Sequence, residues 1–284
     1  MGRFAPSPTG PLHQGSLLAA VGSFLDARAA GGRWLVRLED LDRERVLPGC
    51  ADEMLRTLAA FGLEWDGVIE CQSERRAHYA AALESLTARG LVFACSCSRR
   101  ELADEQGYPG TCRAGPQSSG PTAIRFRVPP ESLTLEDRLQ GRSTFELAQL
   151  GDVIVRRRDG TFAYQLAVVV DDALQGITDV VRGADLLDST PWQIALQHAL
   201  NLSTPGYAHL PLVTEADGTK LAKSRRSVAL EPARAGPQLY AALQLLQQPL
   251  EPELEREPVG RILEWAVRHW DVERLRGVRR VPAG

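Results

Sequence analysis

The strongest constraint on how this chain folds is the alternation, over residues 1–91, of short apolar runs with stretches of helical periodicity, joined by glycine- and proline-rich segments. Residues 3–16 read RFAPSPTGPLHQGS, dense in Pro, Gly, Ser and Thr, which is loop chemistry. Leu17, Val21, Phe24, Leu25 and Arg28 follow at helical spacing until Gly31 and Gly32 stop the element. WLVRL, at residues 34–38, then reads as a buried strand that ends in the acids Glu39 and Asp40. Strand, glycine loop and helix recurring in this order predict an α/β sheet. With 284 residues, 44% of them apolar and 24% charged, the chain can bury a core as one large domain or two modest ones, and disorder is excluded. No apolar run approaches the ~20 residues of a membrane span.

Beyond residue 92 the texture changes. Residues 93–120 are rich in Cys, Ser, Gly and Pro, as expected of a small insert stabilised by something other than an apolar core. TAIRFRV and DVIVR read as strands. Residues 166–174 fit two patterns, because the valines favour a strand while Leu166, Val169, Val170 and Ala173 share one helical face. The expected organisation is a first half of the main domain over 1–92, the insert over 93–120, a second half over 121–227 and a short helical extension over 228–284. MGRFAPSPTG has no apolar signal core, so a cytoplasmic chain is expected. A net charge of −3 makes no global attractor for nucleic acid, and any polyanion has to bind a local patch. The runs Arg156-Arg157-Arg158, Arg225-Arg226 and Arg279-Arg280 are such patches, each by default a solvated cluster.

Among 33 basic residues, lysine occurs only at Lys220 and Lys223. Where arginine serves every generic need, two lysines three apart mark a site that needs a compact ammonium. They sit in DGTKLAKSRR, a glycine-turned loop able to carry ammonium groups to a triphosphate. PLHQGS places His13 and Gly15 immediately before a helix, where backbone N–H groups and an imidazole can meet phosphate oxygens. A capping role for His13 explains the same pattern equally well. The five cysteines are Cys50, Cys71, Cys95, Cys97 and Cys112, which argue against a disulfide framework in a cytoplasmic chain. Cys95, Cys97 and Cys112 share the insert and suit tetrahedral zinc if a fourth ligand exists; with no histidine there, Tyr108 is the best candidate. Cys50 and Cys71 have no partner by spacing and are expected to be buried.

These motifs resemble the class I aminoacyl-tRNA synthetases in their glutamate-specific form. RFAPSPTGPLHQGS is similar to the HIGH region and KLAKS to the KMSKS loop, with Ser16 for the second histidine and Ala222 for the first serine. LVRLEDLD, FAYQLAVVVDDALQGITDVVRGADLLDSTPWQ and HLPLV match as well, so the resemblance covers roughly residues 3–230. It implies a Rossmann-type catalytic domain with a zinc-binding insert and a short helical C-terminal extension, a ligase that joins glutamate to AMP. It also implies catalytic His13, Lys220 and Lys223, with ATP held by His13, Gly15, Ser16 and Lys223 and countered by Mg²⁺. The glutamate pocket would comprise Arg3, Phe4, Ala5, Pro6, Ser7, Glu39, Tyr164 and Arg182. In that pocket Arg3 or Arg182 takes the side-chain carboxylate and Glu39 the ammonium.

Cys-x-Cys followed by Tyr-x₃-Cys resembles the zinc site of the family's truncated branch, which attaches glutamate to queuosine in tRNA(Asp). The short stretch after KLAKS fits that branch, whose members lack the large anticodon-binding domain. The implied partners are glutamate, ATP and queuosine-bearing tRNA(Asp), with no membrane, for a monomer. A compact glutamyl-tRNA synthetase charging the tRNA 3′ end, or a non-catalytic tRNA-binding paralogue, are the competing expectations.

Overall fold

The computed structural model describes residues 1–103, 107–214 and 229–282. The amino-terminal half alternates as its sequence pattern predicts: β1 (Gly2–Phe4), α1 (Gln14–Ala29), β2 (Trp34–Leu38), α2 (Cys50–Ala60), β3 (Glu70–Cys71) and α3 (Arg76–Ala88). The three strands form a parallel sheet in the order β1-β2-β3, with Phe4 opposite Val36 and Arg37 opposite Glu70. Then come β4 (Val92–Cys95), β5 (Ala123–Phe126), β6 (Ser132–Asp137), β7 (Gly141–Glu146), α4 (Leu147–Leu150) and β8 (Val153–Arg156). The chain continues with α5 (Tyr164–Leu174), β9 (Asp179–Gly183), α6 (Thr190–Ala199), β10 (Gly206–Leu210) and β11 (Leu212–Thr214). After residue 228 follow α7 (Ala235–Leu245), α8 (Val259–His269) and β12 (Arg280–Pro282).

A second sheet runs β7-β6-β10-β9, in which β10 is parallel to both β6 and β9. The two sheets meet where the Met1 carbonyl accepts the N–H groups of Thr178 and Asp179, so β1 and β9 lie side by side under α1. This is an α/β arrangement whose parallel strands deliver their carboxyl ends to one cleft. A separate antiparallel sheet, β4-β5-β8, carries the cysteine-rich stretch.

α1 is buried nearly all round, although Leu17, Val21 and Phe24 alone would define a single stripe. Its other face is covered by α7 and α8, so residues after 228 share one core with the first half of the chain. The ambiguous valine run is helix α5, and every residue from Leu166 to Asp172 in it is buried. Complete burial between α3, α6 and the sheets overrides the β preference of Val168, Val169 and Val170. Cys50 is buried as expected, its thiol donating to the Gly10 carbonyl at 3.1 Å. Cys71 departs from expectation: it is only partly buried, because β3 is an edge strand of two residues.

Candidate functional site

The loop after β1, the start of α1 and the ends of β2, β9 and β10 enclose a cavity of about 630 Å³, within the range of small-molecule sites. Arg3, Phe4, Ala5 and Ser7 line it from the first strand and loop, His13, Gly15 and Ser16 from the helix entrance. Glu39, Tyr164 and Arg182 close the opposite wall. Pro6 is brought near but is not on the wall; its carbonyl accepts the Glu39 N–H at 2.9 Å and so fixes where Glu39 leaves β2. Lys220, Lys223 and Ala222, with Arg225 and Arg226, lie outside the described residues.

His13 is the N-cap of α1. Its Nδ1 accepts from the N–H groups of Gly15 (3.1 Å) and Ser16 (3.3 Å), while Ser16 Oγ accepts the His13 N–H at 2.7 Å. The cap sets the tautomer: with Nδ1 accepting, the neutral ring carries its proton on Nε2 as a donor. The capping and catalytic expectations are therefore compatible in one residue. Gly15 suits this fold-back, since a Cβ there would sit a tight 3.1 Å from His13 Cε1.

Beneath the cavity runs a buried charge network that sequence reasoning missed. Arg3 donates to Asp172 through Nε at 3.2 Å and Nη2 at 3.4 Å. Arg37, fully buried on β2, reaches Asp172 at 2.8 Å, Glu39 at 3.4 Å and Asp171 at 3.7 Å. Arg75 Nε, Gln72 and Tyr79 complete the shell around Asp171 at 2.7, 2.9 and 2.7 Å. Burial raises the Glu39 carboxyl to about 6, against the pull of Arg37 and Arg3. Asp172 stays below the usual carboxylate range, because Arg3 and Arg37 together outweigh the effect of burial.

Arg182 has a different surrounding. It is 5% exposed, and its partners are neutral: His209 Nε2 at 3.1 Å, Thr190 Oγ1 at 2.9 Å, Gln193 Oε1 at 2.8 Å and, at 3.5 Å, the Tyr164 hydroxyl. Among the described residues no carboxylate pairs with it, while Arg3 is neutralised by Asp172. A buried guanidinium without a counter-charge is costly unless an anion comes to it. Arg45, Asp185 and Leu186 also line the cavity and were not singled out from sequence.

The cysteine-rich stretch forms its own cluster. The sulfurs of Cys95, Cys97 and Cys112 lie within 4.8 Å of one another, and the Cys97 and Cys112 sulfurs are 3.5 Å apart. Tyr108 Oη lies 3.4 Å from Cys95 Sγ and 3.8 Å from Cys97 Sγ. Ligands on a tetrahedron with 2.3 Å zinc–sulfur bonds stand about 3.8 Å apart, so these four residues fit a zinc ion. Arg125 Nε donates to Cys95 Sγ at 3.3 Å and its guanidinium lies 3.9 Å over the Tyr108 ring. Burial pushes the Cys112 thiol up, but hydrogen bonds from Tyr108, the Ser96 backbone and Cys97 bring it down to about 6. Gly151 holds the hydroxyl donor in place: it bridges Tyr108 with φ +72°, and a Cβ there would lie 2.3 Å from the Tyr108 nitrogen.

Residues 1–236 match the catalytic domain of class I tRNA synthetases of the E and Q type, those for glutamate and glutamine. The chain belongs to that family. It is 53% identical over 277 residues to a Glutamyl-Q tRNA(Asp) synthetase of Pseudomonas paraeruginosa, covering 97% of this chain and 94% of the relative. It is 54% identical over 284 residues to the protein of the same name from Thiobacillus denitrificans, with the same coverage. The fold is shared with a glutamate tRNA ligase from Elizabethkingia meningosepticum, solved in complex with its amino acid, at TM-score 0.82 and 22% identity over 99% of this chain. A glutamate-tRNA synthetase from Elizabethkingia anophelis superposes at TM-score 0.83 with 23% identity over 98% of this chain. The chain spans 66% and 67% of those two proteins' lengths. As a class I synthetase the chain is a ligase, and among its described residues no helix is long and apolar enough to cross a membrane.

Proposed function

We propose that the protein activates glutamate with ATP, without tRNA, and transfers it to the cyclopentene-diol of queuosine in the anticodon of tRNA(Asp), acting as a cytoplasmic monomer. The observation that carries the glutamate reading is Arg182, a buried cation on the cavity wall whose partners among the described residues are all neutral. It takes the side-chain carboxylate, completing by substrate binding the charge pair that the fold leaves open. Glu39, held at the end of β2, takes the ammonium. The loop bearing Arg3, Phe4, Ala5, Pro6 and Ser7 shapes the rest of the pocket, and Tyr164 lines the wall beside Arg182, its hydroxyl 3.5 Å from Nη1.

The substrate α-carboxylate then attacks the α-phosphorus of ATP and pyrophosphate leaves. His13, its Nε2–H directed by the cap, donates to charge developing on the phosphate oxygens, and the N–H groups at the start of α1 add to that field. Gly15 and Ser16 let the nucleotide approach that helix entrance. Lys220 and Lys223 supply ammonium charge to the departing pyrophosphate, which Mg²⁺ accompanies as the nucleotide's counterion. No side-chain nucleophile is required. In the second step a queuosine hydroxyl attacks the adenylate carbonyl and AMP leaves. Both relatives described above bear the name of enzymes acting on this tRNA, and they support this acceptor. Zinc held by Cys95, Cys97, Tyr108 and Cys112 would be structural, cross-linking the insert in place of an apolar core.

Glutamate-dependent exchange of labelled pyrophosphate into ATP, in the absence of any tRNA, tests the activation half. Exchange with glutamate but not with glutamine or aspartate is expected; equal exchange with glutamine would contradict a pocket built around a carboxylate.

A further inference from the structure

β9 and β10 run parallel with Arg182 directly opposite His209. His209 is fully buried and belongs to neither the cap nor the cavity wall. Its Nδ1 lies 2.6 Å from Asp137 Oδ2, at the end of β6. Its Nε2 lies 3.1 Å from Arg182 Nε, an atom that can only donate. A neutral imidazole has one donor and one acceptor, so these neighbours fix the tautomer: Nε2 accepts from Arg182 and Nδ1–H donates to Asp137. Thr190 Oγ1 also approaches Nε2, at 3.2 Å, and can donate to it. Burial, with the Arg182 charge added, holds the ring below the ordinary histidine range despite the pull of Asp137.

Asp137 is itself immobilised. Its Oδ1 accepts the backbone N–H groups of Leu139 (3.0 Å), Gln140 (2.8 Å) and His209 (3.2 Å). On its far side Arg182 spends Nη2 on Thr190 and Gln193, and Gln193 is oriented in turn by Gln165 at 2.8 Å. With Nε and Nη2 both engaged, the guanidinium cannot rotate, and Nη1 is left beside the Tyr164 hydroxyl on the cavity wall.

We propose that Asp137 and His209 are positioning residues for amino-acid selection: the Asp137–His209–Arg182 relay fixes the guanidinium so that Nη1 is presented to a substrate carboxylate. The inference rests on the reading of the cavity as a glutamate site. A charged Nη1 held in place favours a carboxylate, which is anionic and only accepts, over an amide, which is neutral and brings its own donors. The relay also supplies Arg182 with a distant negative charge, Asp137, without a direct ion pair that would compete with substrate.

Asp137→Asn tests the relay. The asparagine oxygen can keep the three backbone N–H groups, while its NH₂ faces His209 Nδ1 and drives the ring proton to Nε2, against the Arg182 Nε–H. Two facing donors repel, and the guanidinium must turn. In the exchange assay the KM for glutamate is expected to rise ~10-fold or more with the KM for ATP within about two-fold of wild type, whereas general damage to the fold would move both. Nitrogen-15 NMR of the His209 ring reads the cause: an Nδ1–H tautomer in the wild-type protein and Nε2–H in the variant. A wild-type ring that is charged or protonated at Nε2 would overturn the proposal, as would a flipped tautomer with unchanged glutamate KM. Wild-type protein that exchanges no pyrophosphate with glutamate contradicts the functional reading instead, and the wild-type tautomer still decides the relay.

Discussion

At the scale of single residues, the cavity separates two kinds of buried arginine. Arg3 and Arg37 share Asp172 and are structural cations whose charge is already met. Among the described residues Arg182 hydrogen-bonds only neutral groups, so its charge is available to a ligand. Arg182→Ala is expected to weaken glutamate binding by about 2–5 kcal/mol, the cost of truncating one member of a desolvated charge pair. The readout is the glutamate KM in pyrophosphate exchange, and an unchanged value would make Arg182 structural. Glu39 gives a pH signature. In the proposed reading its ionised form pairs with the substrate ammonium, and its carboxyl is raised to about 6 by burial, so kcat/KM for glutamate should fall as pH drops through about 6. Stability runs the other way: a carboxyl raised from its unfolded value stabilises the fold only while protonated, and that contribution is lost as pH rises through about 6. Glu39→Gln should therefore lose glutamate activation, yet be more stable than wild type at pH 8 by about 2 kcal/mol at most, read as a higher melting temperature. Equal melting at pH 8 would show that the buried charge carries no such cost.

At the scale of elements, what could be read from the sequence was whatever local spacing encodes. α1 and β2 follow from the run between Leu17 and Arg28 and from WLVRL, and the cysteine cluster follows from spacing plus the absence of histidine. Arg37 and Asp171 could not be paired this way, because one sits in an apolar strand and the other in a valine run, and only the packing of α5 under β2 brings them to 3.7 Å. His209 and Arg182 likewise become neighbours only through the parallel register of β9 and β10, and parallel partners are set by crossover, not by adjacency. α5 itself was ambiguous because full burial erases helical periodicity. The cysteine-bearing element carries its own prediction. Purified protein should hold about one zinc per chain, and Cys112→Ser should release it. Since Phe93, Cys95, Tyr108 and Cys112 form a cluster apart from the two main cores, pyrophosphate exchange should survive the loss while transfer to tRNA declines. Zinc-free protein with full transfer activity would leave the thiols without a metal role.

At the scale of the whole molecule, the cavity, the α1 entrance and the charge network all lie within the region that matches the family, and the helices after residue 228 pack onto α1. That packing makes the carboxy-terminal stretch a brace for α1. The protein carries a net charge of −3, so tRNA has to be held by local arginines such as the exposed Arg156, Arg158, Arg279 and Arg280, and transfer should weaken steeply with added salt. Arg157 is already engaged with Asp42 and Asp159. The acceptor decides the function: at the anticodon base activated glutamate has a nucleophile only where the cyclopentene-diol is present, and tight binding elsewhere cannot replace a missing hydroxyl. The most direct measurement is transfer of labelled glutamate to tRNA(Asp) with queuosine, tRNA(Asp) with unmodified guanosine, and tRNA(Glu), followed by location of the label. Labelling of the queuosine-bearing tRNA alone, on the anticodon base, is expected; efficient charging of unmodified tRNA(Glu) at its 3′ end would contradict transfer to queuosine.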